Sequence, residues 1–114
     1  VRVIEGICVL TAIIESADVD TLRNMCDRFR QKYPSSVAVL GAVINSRPFI
    51  VASVTEDLIK RGIKAGDLVK FVAEILGGSG GGKPTLAQAG GKDPSKLSIA
   101  LEGVSKYLEM SVNK

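Results

Sequence analysis

The sequence predicts an α/β fold: a small mixed β-sheet with a βαββ core and a short fourth strand, packed with about four helices in a single domain over residues 1–114. Three features predict it. Residues 7–14, ICVLTAII, form a continuous apolar run rich in β-branched residues, which suits a strand buried on both faces. A helix-periodic segment then leads to two further apolar runs, 37–44 (VAVLGAVI) and 49–54 (FIVASV). Beyond them, two more segments carry apolar stripes at helical spacing. With 46% hydrophobic residues, 114 residues suffice to bury a core without staples.

The first strand gives way to Asp18 or Asp20, either of which can cap a helix. In that helix Val19, Leu22, Cys26, Phe29 and Tyr33 recur on one side, Arg23, Asp27 and Arg30 lie opposite, and Pro34 ends it. The turn-forming NSRP between the next two runs makes them a hairpin. A strand, a crossover helix and a further strand form a βαβ unit, so the first two of these strands run parallel and the third antiparallel to the second. Thr55 opens a short helix, TEDLIKRG, that Gly62 closes. Leu68, Phe71, Val72, Ile75 and Leu76 keep helical spacing without a miss, and Gly77 is placed to be the left-handed residue beyond that helix. Asp93 and Pro94 open the last helix, striped by Leu97, Ala100, Leu101, Val104 and Leu108. TLAQA, residues 85–89, alternates weakly and supplies the short fourth strand at the sheet edge.

Composition excludes several kinds of function. There is no histidine, so the commonest general base, the usual partner of a catalytic Ser or Cys and a favoured zinc ligand are all missing; no catalytic residue, metal site or cofactor is expected. Cys8 falls in a strand and Cys26 on the apolar face of a helix, so both read as small core residues with free thiols, in a reducing cytoplasmic or organellar compartment. No apolar run approaches 18 residues and the start has no charged-then-apolar pattern, so neither a membrane span nor a signal peptide is expected. The net charge of +3 favours anionic partners only mildly. Residues 1–76 carry ten basic and nine acidic side chains and residues 77–114 five and three, so any binding must be local.

Local in this chain means GGSGGGKPTLAQAGGKD, residues 77–93, where seven of 17 residues are glycine. Each glycine costs roughly 0.5 to 1 kcal/mol against alanine in regular structure, so the segment is expected to repay that cost. Gly77 to Lys83 fits GxxxxGK, but a phosphate-binding loop needs Ser or Thr next and this chain has Pro84; a helix also precedes the segment where a strand should. A flexible spacer accounts for Gly77 to Gly82 and not for the ordered-looking continuation. The reading adopted is a glycine-rich binding loop, 77–92, whose backbone amides approach a polyanion. Its site residues are Gly77, Gly78, Gly80, Gly81, Gly82, Lys83, Gln88, Gly90, Gly91 and Lys92, with Lys83 and Lys92 at the rim and Gln88 set to contact a base or ribose. Arg23, Arg28, Arg30 and Lys32 read as a solvated helix face, and Lys60, Arg61 and Lys64 as a solvated helix end, with extension of the binding footprint as the alternative for either set.

The run GGSGGGKPTLAQAGGKDPSK closely resembles the signature of the DHHA1-type domain at the C-terminus of alanyl-tRNA synthetases, with its GG, GGG, AQ, GGKD progression. The likeness continues upstream through GIKAGDLVKFVAEILGG, SVAVLG and VDTLRNMCDRFR and spans residues 6–108. It implies a DHHA1-like α/β domain, non-catalytic by itself, that binds the tRNA elbow and assists aminoacylation and editing, the tRNA being alanine-specific in the parent ligase. Related domains of DHH-type nucleases hold single-stranded substrates and carry a histidine within the glycine motif, where this chain has Lys83 and Pro84; the synthetase branch is favoured. The family's aminoacylation core and histidine-bearing editing site have no counterpart here, so the expectation is a fragment that neither charges nor deacylates tRNA. The helical segment that supports dimerisation in relatives would lie before Val1, which leaves a homodimer open. The competing readings are a protein interaction or tethering domain with the glycines as a hinge, and a binder of single-stranded or other nucleic acid.

Overall fold

A computed structural model describes residues 2–4 and 6–112. The chain runs β1 (Arg2–Ile4), β2 (Ile7–Ile13), α1 (Val19–Lys32), β3 (Ser36–Ile44), β4 (Arg47–Val54), α2 (Glu56–Lys60), α3 (Ala65–Leu76), β5 (Ser79–Gly82), β6 (Leu86–Gly90), a 3₁₀ turn (Pro94–Lys96) and α4 (Leu97–Val112). The strands make one mixed sheet in the order β1-β2-β3-β4-β6-β5. β2 and β3 pair in parallel and β3 and β4 antiparallel, as the βαβ unit and hairpin require. The β3–β4 turn is tight because Asn45 and Ser46 both take positive φ, 52° and 64°, the geometry of a type I′ hairpin.

Two differences from the sequence reading concern strands. β1 is too short to carry a pattern and adds antiparallel to β2. In the segment expected as a binding loop, 77–92, the short strand expected over 85–89 is present as Leu86–Gly90, but it lies inside the sheet against β4 and not at the edge; the glycines before it form β5, the outermost strand, and the two make a β-hairpin. A strand written SGGG has no side chains with which to show a period of two.

Caps fix the helix ends. Asp18, not Asp20, caps α1, its carboxylate accepting from the Thr21 amide at 2.8 Å. Thr55 precedes α2 but makes no side-chain cap bond, because its hydroxyl accepts from the Ser36 amide and donates to Asp57. Asp93 accepts from the Ser95 amide ahead of α4.

Two cores sandwich the sheet. On one face α1 lays Leu22, Cys26 and Phe29 against Ala38, Leu40, Ala42 and Val51. On the other, α3 and α4 bury Leu68, Val72, Leu76, Leu97 and Val104 against Val37, Val39, Ile50, Ala52, Ala87 and Ala89. Gly41 lets α4 lie this close: a Cβ there would come 3.0 Å from a Leu97 methyl. Cover is unequal, since α1 packs on β3 and β4, whereas α3 also packs on β5 and β6. The α1 side of the outer hairpin is therefore left open.

Candidate nucleic-acid interface

The hairpin is strapped along α3. At its base, Gly77 takes the left-handed conformation, φ 74°, and closes the helix, while the Gly78 amide donates to Ala73 O at 2.9 Å. The returning strand meets the same helix end, where Leu76 O accepts from the amides of Lys92 at 3.0 Å and Asp93 at 3.2 Å, and Gly91 donates to Pro48 O. At the tip, Lys83 N donates to Leu86 O at 3.0 Å, and Pro84 O accepts from Ala65 N at the start of α3 at 2.9 Å. These bonds leave no room for a floppy spacer.

Most of the glycines are there to let backbones touch. A Cβ on Gly78 would sit 1.9 Å from Gly90 O, one on Gly80 2.1 Å from Ala89 Cβ, one on Gly82 2.7 Å from Ala87 Cα, and one on Gly91 2.4 Å from Leu76 Cβ. The sequence reading gave these glycines to an anion; the structure gives them to the chain's own packing, and the amides of Gly77, Gly78, Gly91 and Lys92 are bonded within the chain. Gly90 meets only ordinary contacts. Gly81 differs from all of them: its φ is not positive, and a Cβ there would meet nothing within 4 Å.

Side chains complete the site. Gly81 pairs with Gln88, and both face the α1 side of the sheet because Gln88 is also opposite Val51 of the α1 core. Between that part of the hairpin and α1 lies an open groove of about 320 Å³, floored by Gly81 and Leu86 and bounded by Arg23, Lys83 and Gln88. On the other side of β5 a smaller hollow of about 160 Å³ is bounded by Lys64, Asp67, Lys70 and Pro84. The edge strand thus carries cations on both of its faces.

Of the residues expected from the sequence, Gly81, Gly82, Lys83 and Gln88 come together in the groove. Lys92, with Gly77, Gly78, Gly90 and Gly91, sits at the far end, at the hairpin base, and Gly80 faces α3 through its pairing with Ala89. Lys92 is exposed. Its neighbour Asp93 stays charged, its pKa held below the ordinary carboxylate value by bonds from the Ser95 hydroxyl and amide. Arg23 and Lys64, which the sequence offers only as the alternative extension of the footprint, and Lys70, which it does not single out, border the two hollows. Nothing local marks them; they arrive through sheet order, which sets the hairpin beyond β4 and so beside α1 and α3. Among the described residues no cluster of metal-ligating side chains occurs, and no helix is long and apolar enough to cross a membrane.

The DHHA1 domain family matches residues 6–110, a span that takes in the sheet, its helices and the glycine hairpin, and the chain belongs to that family. Among curated proteins it is 50% identical over 109 residues to the alanine–tRNA ligase of Halalkalibacterium halodurans and 48% identical over 109 residues to that of Bacillus subtilis, in each case over 96% of this chain. It spans about 12% of the length of these relatives. Among solved structures it is similar to the C-Ala domain of Aquifex aeolicus alanyl-tRNA synthetase, with a TM-score of 0.77 and 27% identity over 93% of this chain and 91% of that one. A DHH domain described as a member of the s1p family of ribosomal proteins shares the fold alone, at 19% identity, a TM-score of 0.58, and coverage of 82% of this chain and 22% of that one.

Proposed function

We propose that this chain is the C-terminal tRNA-binding domain of an alanine–tRNA ligase, non-catalytic by itself, which holds the folded outer corner of the alanine tRNA while other parts of the ligase aminoacylate and edit it. The observation that supports this reading most is the cation-flanked hairpin: Arg23 and Lys83 on one side of β5, Lys64 and Lys70 on the other, beside relatives that are alanine–tRNA ligases. With five aromatic residues in the chain and none in the hairpin, base stacking on aromatic rings cannot be the main attraction. Shape and phosphate contacts take that part.

The test is binding of tRNA to the 114-residue chain across a salt series. Engagement of about three phosphates predicts that log K falls against log salt with a slope of about 2 to 3. A tRNA whose elbow is disrupted should bind more weakly than intact tRNA, and Lys83→Ala combined with Lys92→Ala should weaken intact tRNA. Salt-independent binding, or equal affinity for the two RNAs, contradicts the proposal. An unstructured oligonucleotide of equal length competing as well as tRNA would favour a single-strand binder instead.

A further inference from the structure

Gly81 stands out because it combines an ordinary φ with open space, so that nothing in the chain requires it and nothing fills the place of its side chain. Its four congeners at 78, 80, 82 and 91 are forced by backbone that would collide with a Cβ, and Gly77 by its φ of 74°. Replacing a strand glycine that has ordinary φ and open space by alanine should stabilise a protein, since it restricts the unfolded chain. The empty space above Gly81 is the floor of the groove.

That groove has a particular chemistry. Its floor is the bare Gly81 backbone and the half-buried Leu86, which is flat and apolar. At its edge the exposed Gln88 supplies a carboxamide that can both donate and accept. Its charged boundary residues, Arg23 on α1 and Lys83 at the hairpin tip, are both cations. A lone phosphate would use the cations and leave an apolar floor uncovered. A nucleobase with its flanking phosphates uses all of it: ring face on the floor, ring edge on the amide, phosphates on the two cations. No aromatic ring lines the groove, and with the Gln88 carboxamide engaged at the ring edge the Arg23 guanidinium is the planar group left to stack on the exposed face of that base.

We propose that this groove receives one unstacked nucleotide of the bound RNA, with its base on Gly81 and Leu86 beneath Arg23, and Gln88 on its edge. The assignment rests on the RNA-binding reading above and adds to it a place for a single base. It makes Gly81 a position where a side chain is excluded for the ligand's sake.

The experiment measures tRNA affinity and thermal stability together for Gly81→Ala, Gly81→Val, Arg23→Ala and Arg23→Lys in the 114-residue chain. Expected are a melting temperature unchanged or raised in Gly81→Ala, with weakened binding that worsens in Gly81→Val to tenfold or more. Arg23→Ala should also lose about tenfold, and Arg23→Lys, which keeps the charge and loses the plane, should recover only part of it. Near-native affinity in Gly81→Val and Arg23→Ala, while Lys83→Ala with Lys92→Ala still weakens binding, overturns the nucleotide site and leaves the tRNA reading standing. Equal affinity of Arg23→Lys and the native chain overturns the stacked base. Absence of tRNA binding by the native chain overturns both readings.

Discussion

Gly80 and Gly81 are adjacent in the chain and face opposite sides of the sheet, and their consequences differ in sign. At Gly80 an added methyl meets Ala89 Cβ at 2.1 Å, so Gly80→Ala must push β5 off β6. Overpacking of that kind costs about 1 to 3 kcal/mol, and urea unfolding should show it as a lower midpoint, with Gly81→Ala showing none. The thiols divide in the same way. Cys26 is buried on the inner face of α1 with its sulfur 3.7 Å from Val51 O, and burial pushes its pKa up to about 11. Cys8 is only half-buried. Iodoacetamide at pH 8 should therefore label Cys8 in the folded protein and reach Cys26 only once denaturant is added, a difference that peptide mass spectrometry reads directly. The sequence located every one of these residues without showing what each glycine packs against. A missing side chain is visible in a sequence; what fills its place is decided by strand pairing, which in β5 brings Ala87 and Ala89 against the glycines.

At the scale of elements, legibility followed side chains. β2, β3, β4, α1, α3 and α4 carry apolar residues at their own period, and each was expected within a few residues of where it lies. β5 has no side chain larger than that of Ser79, so it read as loop. α2 shows a different departure. Its expected cap, Thr55, turns its hydroxyl to Asp57, whose carboxylate also accepts from Ser35 Oγ, tying the starts of β3 and α2 together. The Ser35 bond first, then the Thr55 bond, lowers the Asp57 pKa below the ordinary 3.8. A carboxyl whose pKa falls on folding adds stability that is complete above its unfolded value and is lost as pH drops through the folded one. Asp57→Asn should therefore melt below the native chain at neutral pH, with the gap closing as the pH is taken beneath 3.8. A gap that persists in acid would mean that the carboxylate charge is not what the two hydroxyls hold.

Over the whole molecule, one sheet serves two cores, and the inequality of their cover produces the site. α3 and α4 blanket one face out to β5, whereas α1 alone covers the other and reaches the last two strands only at the half-buried Leu86. That asymmetry was beyond sequence reasoning, because strand order, and not strand existence, decides it: β6 follows α3 in the chain and yet inserts between β4 and β5. For the same reason the candidates Lys83 and Gln88 stand out from their own neighbourhood, while Arg23, which lines the same groove, reads from the sequence as part of a solvated helix face. Because the shared sheet couples the cores, Leu40→Ala on the α1 face should cost about 2 to 5 kcal/mol and still unfold in a single transition by far-UV circular dichroism.

The fastening of the hairpin at both ends of α3 has a kinetic consequence. Glycine-rich segments usually meet their partners as loose chain that must first be arrested, and the arrest slows capture and subtracts from affinity. Here Leu76 O grips one end and Ala65 N the other, so the surface proposed to receive RNA is finished before any encounter. Collision should then be governed by charge attraction and not by a search for shape, and added salt should slow arrival while hardly touching the lifetime of the complex.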